Sequence, residues 1–166
     1  MQTMDITPEL RTTILRDQRV RRSITRESHF YFFHIYFGHY VSSPTALFQK
    51  EIFGFTEDES QKLTAITAFR GSGKSTIVSL SFPLWAILGK LGIKFVLILG
   101  QTQSQARQHL KNLKDEIERN ELLRKDLGPF EEREDEWNSS SIVLPLLGAR
   151  ITAASTESIG RRITHR

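Results

Sequence analysis

With 166 residues, 39% of them hydrophobic, the chain is long enough to bury a core as one domain, so disulfides or a structural metal are not needed to explain folding. It has no cysteine, which excludes thiol catalysis, cysteine-based zinc sites and a disulfide scaffold, and fits a reducing compartment. The formal net charge of +4 is unevenly spread. Arg11, Arg16, Arg19, Arg21, Arg22 and Arg26 stand against Asp17 alone, residues 113–136 are acidic, and Arg150, Arg161, Arg162 and Arg166 turn the end basic. Such clusters suit a polyanion partner such as nucleic acid, and equally suit a solvated arginine face.

The N-terminus has charges where a signal peptide has its apolar region, and the most apolar stretch, 76–99, is broken by Pro83, Lys90 and Lys94. No transmembrane span is expected, and the protein is expected to be soluble and intracellular. Thr7, Pro8 and Glu9 make a helix start, predicting a first helix to about residue 22. In "SHFYFFHIYFGHY", Phe30, Phe33 and Phe37 share a helical face with Tyr36 and Tyr40 beside it. Helical spacing points to an aromatic helix in a core, with a base-stacking platform as the alternative. His29, His34 and His39 recur every five residues, which separates them on a helix and argues against a metal site. Ser43 and Pro44 predict a short helix over 44–53 ended by Gly54.

The run "LTAITAF" reads as a buried strand leading into "RGSGKS", and the helix that leaves this loop is predicted from Lys74 or Ser75 with a kink near Pro83. "KFVLILG" reads as a strand buried on both faces. An amphipathic helix with Ala106, Leu110, Leu113 and Ile117 inside follows, then a hairpin turning at Gly148. The expected fold class is therefore α/β: a mostly parallel sheet flanked by helices, incomplete, with an N-terminal helical segment over 1–55 and the first part of a phosphate-loop domain over 56–166.

In the pattern GxxxxGK[ST], backbone amides wrap phosphates, the lysine neutralises the outer ones and the hydroxyl holds magnesium. Gly73, Lys74 and Ser75 keep its second half, Gly71 adds backbone freedom, and Ala68 replaces the first glycine. A nucleotide triphosphate with Mg2+ is the expected ligand, cradled by Gly71, Ser72, Gly73, Lys74, Ser75 and Thr76. Arg70 suits either the charge that develops in phosphoryl transfer or an ion pair with an acid on a neighbouring strand. Magnesium in such sites also needs a carboxylate at a strand end, and neither "KFVLILG" nor "SIVLPLL" ends in one. Either that strand lies beyond the chain or hydrolysis has been lost.

Taken in order, "FQKEIF", "LTAITAFRGSGKSTIVSLSFPLWAIL", "KFVLILGQTQSQARQHLKNLKDEI" and "STESIGRRITHR" resemble the N-terminal ATPase region of the large terminase subunit of tailed bacteriophages, over residues 45–166. The resemblance implies a RecA-like ATPase fold and an ATP-driven motor that packages double-stranded DNA in the host cytoplasm. It further implies a homo-oligomeric ring, with a portal and a small terminase subunit as partners. Arg70 would act on the γ-phosphate, with Lys74 and Ser75 as phosphate lysine and magnesium hydroxyl. Gln49 would read adenine, the alternative being an exposed helical residue. Arg161 or Arg162 would reach a neighbouring subunit's nucleotide, with "SIGRR" altered in order from the family pattern. The acidic strand and a nuclease domain would follow residue 166, so this stretch alone is expected to be inactive. The competing expectations are a helicase-like or other RecA-like translocase, and a non-hydrolytic nucleotide- or DNA-binding module.

Overall fold

The computed structural model describes residues 8–60, 62–130 and 137–157; Thr7, Arg161 and Arg162 lie outside them. The chain divides into two compact units, Met1–Leu91 and Gly92–Arg166. Seven α-helices and a three-stranded mixed sheet form among the described residues, so the class is α/β.

The first unit is helical. The helix expected to run to residue 22 is two helices, α1 (Pro8–Arg16) and α2 (Gln18–Glu27). Asp17 divides them: its backbone is extended and its carboxylate accepts from the amides of Arg19 (2.8 Å) and Val20 (3.4 Å), a cap that ends one helix by starting another. α3 (His29–Tyr36) and α4 (Leu47–Glu57) follow. The Glu57 carboxylate accepts from the Ser28 hydroxyl (2.7 Å) and the Phe30 amide (2.9 Å), placing an anion at the N-terminus of α3, where its dipole favours one.

α4 starts three residues later than the Ser43-Pro44 signal suggests, because Gln49, not Ser43, satisfies its first turn: Gln49 Oε1 accepts from the Ala46 amide at 3.0 Å. Gly54 lies inside α4 and does not end it. Phe30, Phe32, Phe33, Tyr36 and Phe37 are all buried. The stacking-platform alternative is thereby overturned, since these ring faces are spent on each other and on Phe53.

From Lys74 a continuous helical run passes through a π-helical stretch, Thr76–Ser81, into α5 (Phe82–Leu88). The widened turn just ahead of Pro83 accommodates a residue that has no N–H to donate and whose ring crowds the preceding turn. Trp85 is fully buried and its Nε1 donates to the Thr25 carbonyl at 3.0 Å. The expected strand over Leu63–Phe69 does not form. Leu63 is 91% and Phe69 68% exposed, with the Phe69 ring edge-on to Phe48 at 5.4 Å. All described strands belong to the other unit, so within its own unit this segment has no ladder to join.

In the second unit, β1 (Phe95–Gly100) leads to α6 (Gln103–Arg119), α7 (Glu121–Leu127), β2 (Ser141–Leu144) and β3 (Ala149–Ser155). The strand order is β1-β3-β2. β1 runs parallel to β3, with Ile98 opposite Ala153, and β2 antiparallel to it, with Ile142 opposite Ile151. The hairpin turns at Gly148 in the left-handed conformation (φ 58°), as its sequence position suggests. α6 packs on the sheet and buries Ala106, Leu110, Leu113 and Ile117 as their spacing predicts. β1 is not doubly covered. Phe95 (56%), Leu97 (46%) and Leu99 (51%) are exposed, because α6 takes the Val96-Ile98 face and nothing described in this unit takes the other. No described helix is long and apolar enough to cross a membrane.

His29 is fully buried and stacks on Trp85 at 5.3 Å. Thr56 donates its hydroxyl hydrogen to the Phe53 carbonyl (2.9 Å) and so accepts from His29 Nδ1–H (2.7 Å); Nε2 then accepts from the Ser81 hydroxyl (2.9 Å). The ring is thus held neutral, and burial, helped by the neighbouring His34, lowers its pKa to about 3. Below pH 6.5 the unfolded chain protonates this residue and the folded one does not, so stability falls as pH falls. Between pH 6.5 and 5 the loss attributable to His29 is about 2 kcal/mol. Urea unfolding at the two pH values checks this, with His29→Gln expected to show a correspondingly smaller difference.

Candidate functional site

The loop that joins Phe69 to the helical run is built on two left-handed glycines, Gly71 (φ 83°) and Gly73 (φ 78°). That geometry costs any other residue about 1–2 kcal/mol. The amides of Gly71 and Gly73 meet no acceptor among the described residues, whereas the Ser72 amide donates back to the Phe69 carbonyl (3.3 Å) and the Lys74 amide to Ser72 Oγ (3.4 Å). The helix begins at Lys74, as expected, so its dipole adds to the field of these amides. Arg70 is exposed and Lys74 half-buried. Neither side chain pairs with a carboxylate among the described residues, so the ion pair considered for Arg70 is not observed there. Among the described residues, two cations without a carboxylate partner and two amides without an acceptor thus stand at one helix start, a combination whose field favours an anion.

Gln49 reaches this loop from behind. Its Nε2 donates to the carbonyl of buried Ser72 at 2.9 Å while Oε1 holds the Ala46 amide. A Cβ on Gly73 would stand 3.1 Å from that Nε2. Gln49 is therefore not a free helical side chain. One N–H and one lone pair of its amide remain for a ligand.

Beside the loop lies a cavity of about 220 Å³ walled by Gly71, Gly73 and Gln49 on one side and by Phe33, His34 and the Tyr40–Thr45 segment on the other. It is smaller than the roughly 300–1,000 Å³ of drug-sized sites, a size for one ring system. His34 is fixed in this wall: Nδ1–H donates to the Phe30 carbonyl (2.8 Å), and Nε2 meets the Thr45 hydroxyl at 2.7 Å. The wall from Tyr40 to Thr45 escaped sequence reasoning because "SSP" reads as a helix start. Its one available signal was a serine- and proline-containing gap between two aromatic segments.

Ser75 is exposed and supplies a hydroxyl but no charge. No group of His, Asp or Glu suited to a metal occurs among the described residues. One carboxylate near a strand end, Glu157, is not evident from the sequence pattern. It lies two residues beyond β3 and is exposed, next to Thr156, whose hydroxyl donates to the Gln101 carbonyl at 3.3 Å. It was missed because "SIVLPLL" ends at Gly148, whereas β3, the hairpin's second strand, ends at Ser155.

Gly73→Ala is expected to lower unfolding free energy by at least about 1–2 kcal/mol, since it combines left-handed strain with crowding of Gln49. Gly54→Ala, inside α4 with open space around it, is expected to raise it by up to about 1 kcal/mol. Urea midpoints of the two variants check the contrast.

No family model, curated protein or solved structure matches this chain.

Proposed function

We propose that this chain is a nucleotide-triphosphate-binding region of the phosphate-loop type, and specifically the N-terminal ATPase region of a terminase-like motor that moves double-stranded DNA. The observation that carries the nucleotide reading is the loop itself: amides with no described acceptor at left-handed Gly71 and Gly73, at the start of a helical run, flanked by two cations with no described carboxylate partner. The motor reading rests on the order of the sequence motifs around that loop.

In this reading the Gly71 and Gly73 amides, the first-turn amides of Ser75 and Thr76 and the Lys74 ammonium hold the β- and γ-phosphates. The base enters the cavity behind the loop, where the remaining N–H and lone pair of Gln49 suit the donor-acceptor edge of adenine. The Ser75 hydroxyl would be this region's one contribution to holding a magnesium ion, which would supply positive charge to the phosphates. Arg70 folds over the outer phosphate and stabilises the charge that builds on the equatorial oxygens as water displaces ADP. Arg161 and Arg162 stay candidates for a contact to a neighbouring subunit's nucleotide.

Fluorescence titration with a labelled ATP analogue is the test. Removing one charged donor is worth roughly 1.5–3 kcal/mol, so Lys74→Ala is expected to weaken binding by about 10- to 100-fold. Arg70→Ala is expected to bind within a few-fold of the parent yet to abolish duplex-stimulated ATP turnover in the protein that carries this region. Unchanged affinity in Lys74→Ala contradicts the nucleotide site. Turnover that ignores duplex DNA contradicts the motor.

A further inference from the structure

α6 sets a row of cations on its middle turns. Its first turn has no acid, Arg107, Lys111 and Lys114 follow, and its C-terminal end carries Asp115, Glu116 and Glu118 together with Arg119, which pairs with Asp115 at 3.9 Å. Carboxylates favour a helix N-terminus and cations its C-terminus. Arg107 and Lys111 are also four residues apart, a like-charge pair that destabilises a helix. Both are exposed and neither has an ion-pair partner among the described residues. Lys111 and Lys114 each have an acid four residues on, Asp115 and Glu118, a spacing that favours the helix, whereas Arg107 has no acid within a turn and helix formation does not account for it.

These cations open onto a groove. Arg107, Lys111 and Lys114, with Ser104, Gln108 and Asn138, line a depression of about 440 Å³ between α6 and the segment that precedes β2. One side of it is pinned: Lys114 Nζ donates to the Asn138 carbonyl at 2.6 Å and lies 5.7 Å from the centre of the Trp137 ring. Apart from buried Leu110, every lining side chain is polar, and none is a carboxylate.

We infer that this groove binds the phosphate backbone of a nucleic acid, without reading sequence. From Arg107 to Lys114 the helix rises about 10 Å, close to the axial rise of three nucleotides at 3.4 Å each. A row of like charges with neutral donors between them matches a polymer that repeats one charge and offers sugar and phosphate acceptors. An acidic peptide would anchor through an apolar side chain in a central pocket, and the one apolar side chain among the groove's residues, Leu110, is buried. The groove belongs to the second unit, and the inference does not depend on the nucleotide reading.

The test is fluorescence anisotropy of the whole chain with a labelled 20-base-pair duplex across a series of NaCl concentrations, comparing the parent with Arg107→Ala/Lys111→Ala. Loss of two phosphate contacts reduces the slope of log K against log salt by about 1.8 (about 0.9 for each). Affinity at low salt is expected to fall on the order of 10-fold or more, equally for unrelated sequences. ATP affinity and the urea midpoint are expected to stay at parental values, which separates this inference from the nucleotide site and from misfolding. An unchanged slope in the double variant overturns the inference. So does loss of binding on Arg22→Ala/Arg26→Ala in α2 with none on the α6 change, or displacement of the duplex by polyglutamate at equal charge concentration.

Discussion

The Gln49 side chain is the interaction on which the loop depends. A loop that leaves glycine amides without an acceptor cannot be stabilised by satisfying those amides internally, so its carbonyl side has to be held instead. Gln49 does so by donating to the Ser72 carbonyl, and the same amide group caps the first turn of α4 through Ala46. One side chain thereby fixes the entry of one helix and the loop that starts another. Gly73 is required twice over, for its positive φ and for the space that Gln49 occupies.

Behind that contact stands a rigid aromatic interior. His29, Phe30, Phe33, Phe53 and Trp85 pack ring against ring, and the only titratable member is kept neutral by burial and by hydroxyl partners on both nitrogens. Ser81 supplies one of those hydroxyls from the π-helical stretch directly after the loop. The loop's helical continuation is tied to α3 by a polar contact inside an apolar core, which costs dearly to leave unmade.

Local patterns were legible in the sequence and non-local ones were not. The spacing of Ala106, Leu110, Leu113 and Ile117 encodes α6, Gly148 encodes the hairpin turn, and the helix start at Lys74 follows from the loop motif. Asp17 stands out in the sequence only as a counter-charge to the arginines, whereas in the fold its carboxylate takes backbone amides and splits a helix in two. "LTAITAF" has the composition of a strand, but a strand exists only where another edge pairs with it, and that is a tertiary fact. "KFVLILG" shows the same limit: its strand formed, yet its apolar pattern does not say what covers each face. At the site, the loop residues were legible because a short motif sets their geometry. The Tyr40–Thr45 wall was not, since it comes near the loop only through the folding of α3 against α4.

The central claim is that the free amides of the loop receive phosphate, and an NMR titration of 15N-labelled protein with Mg2+ and ATP tests it most directly. The loop geometry predicts that the amide resonances of Gly71 and Gly73 move downfield and saturate together, ahead of any shift in α1, with AMP producing much smaller movements at the same concentration. Saturable ATP binding that leaves both glycine amides in place would contradict it.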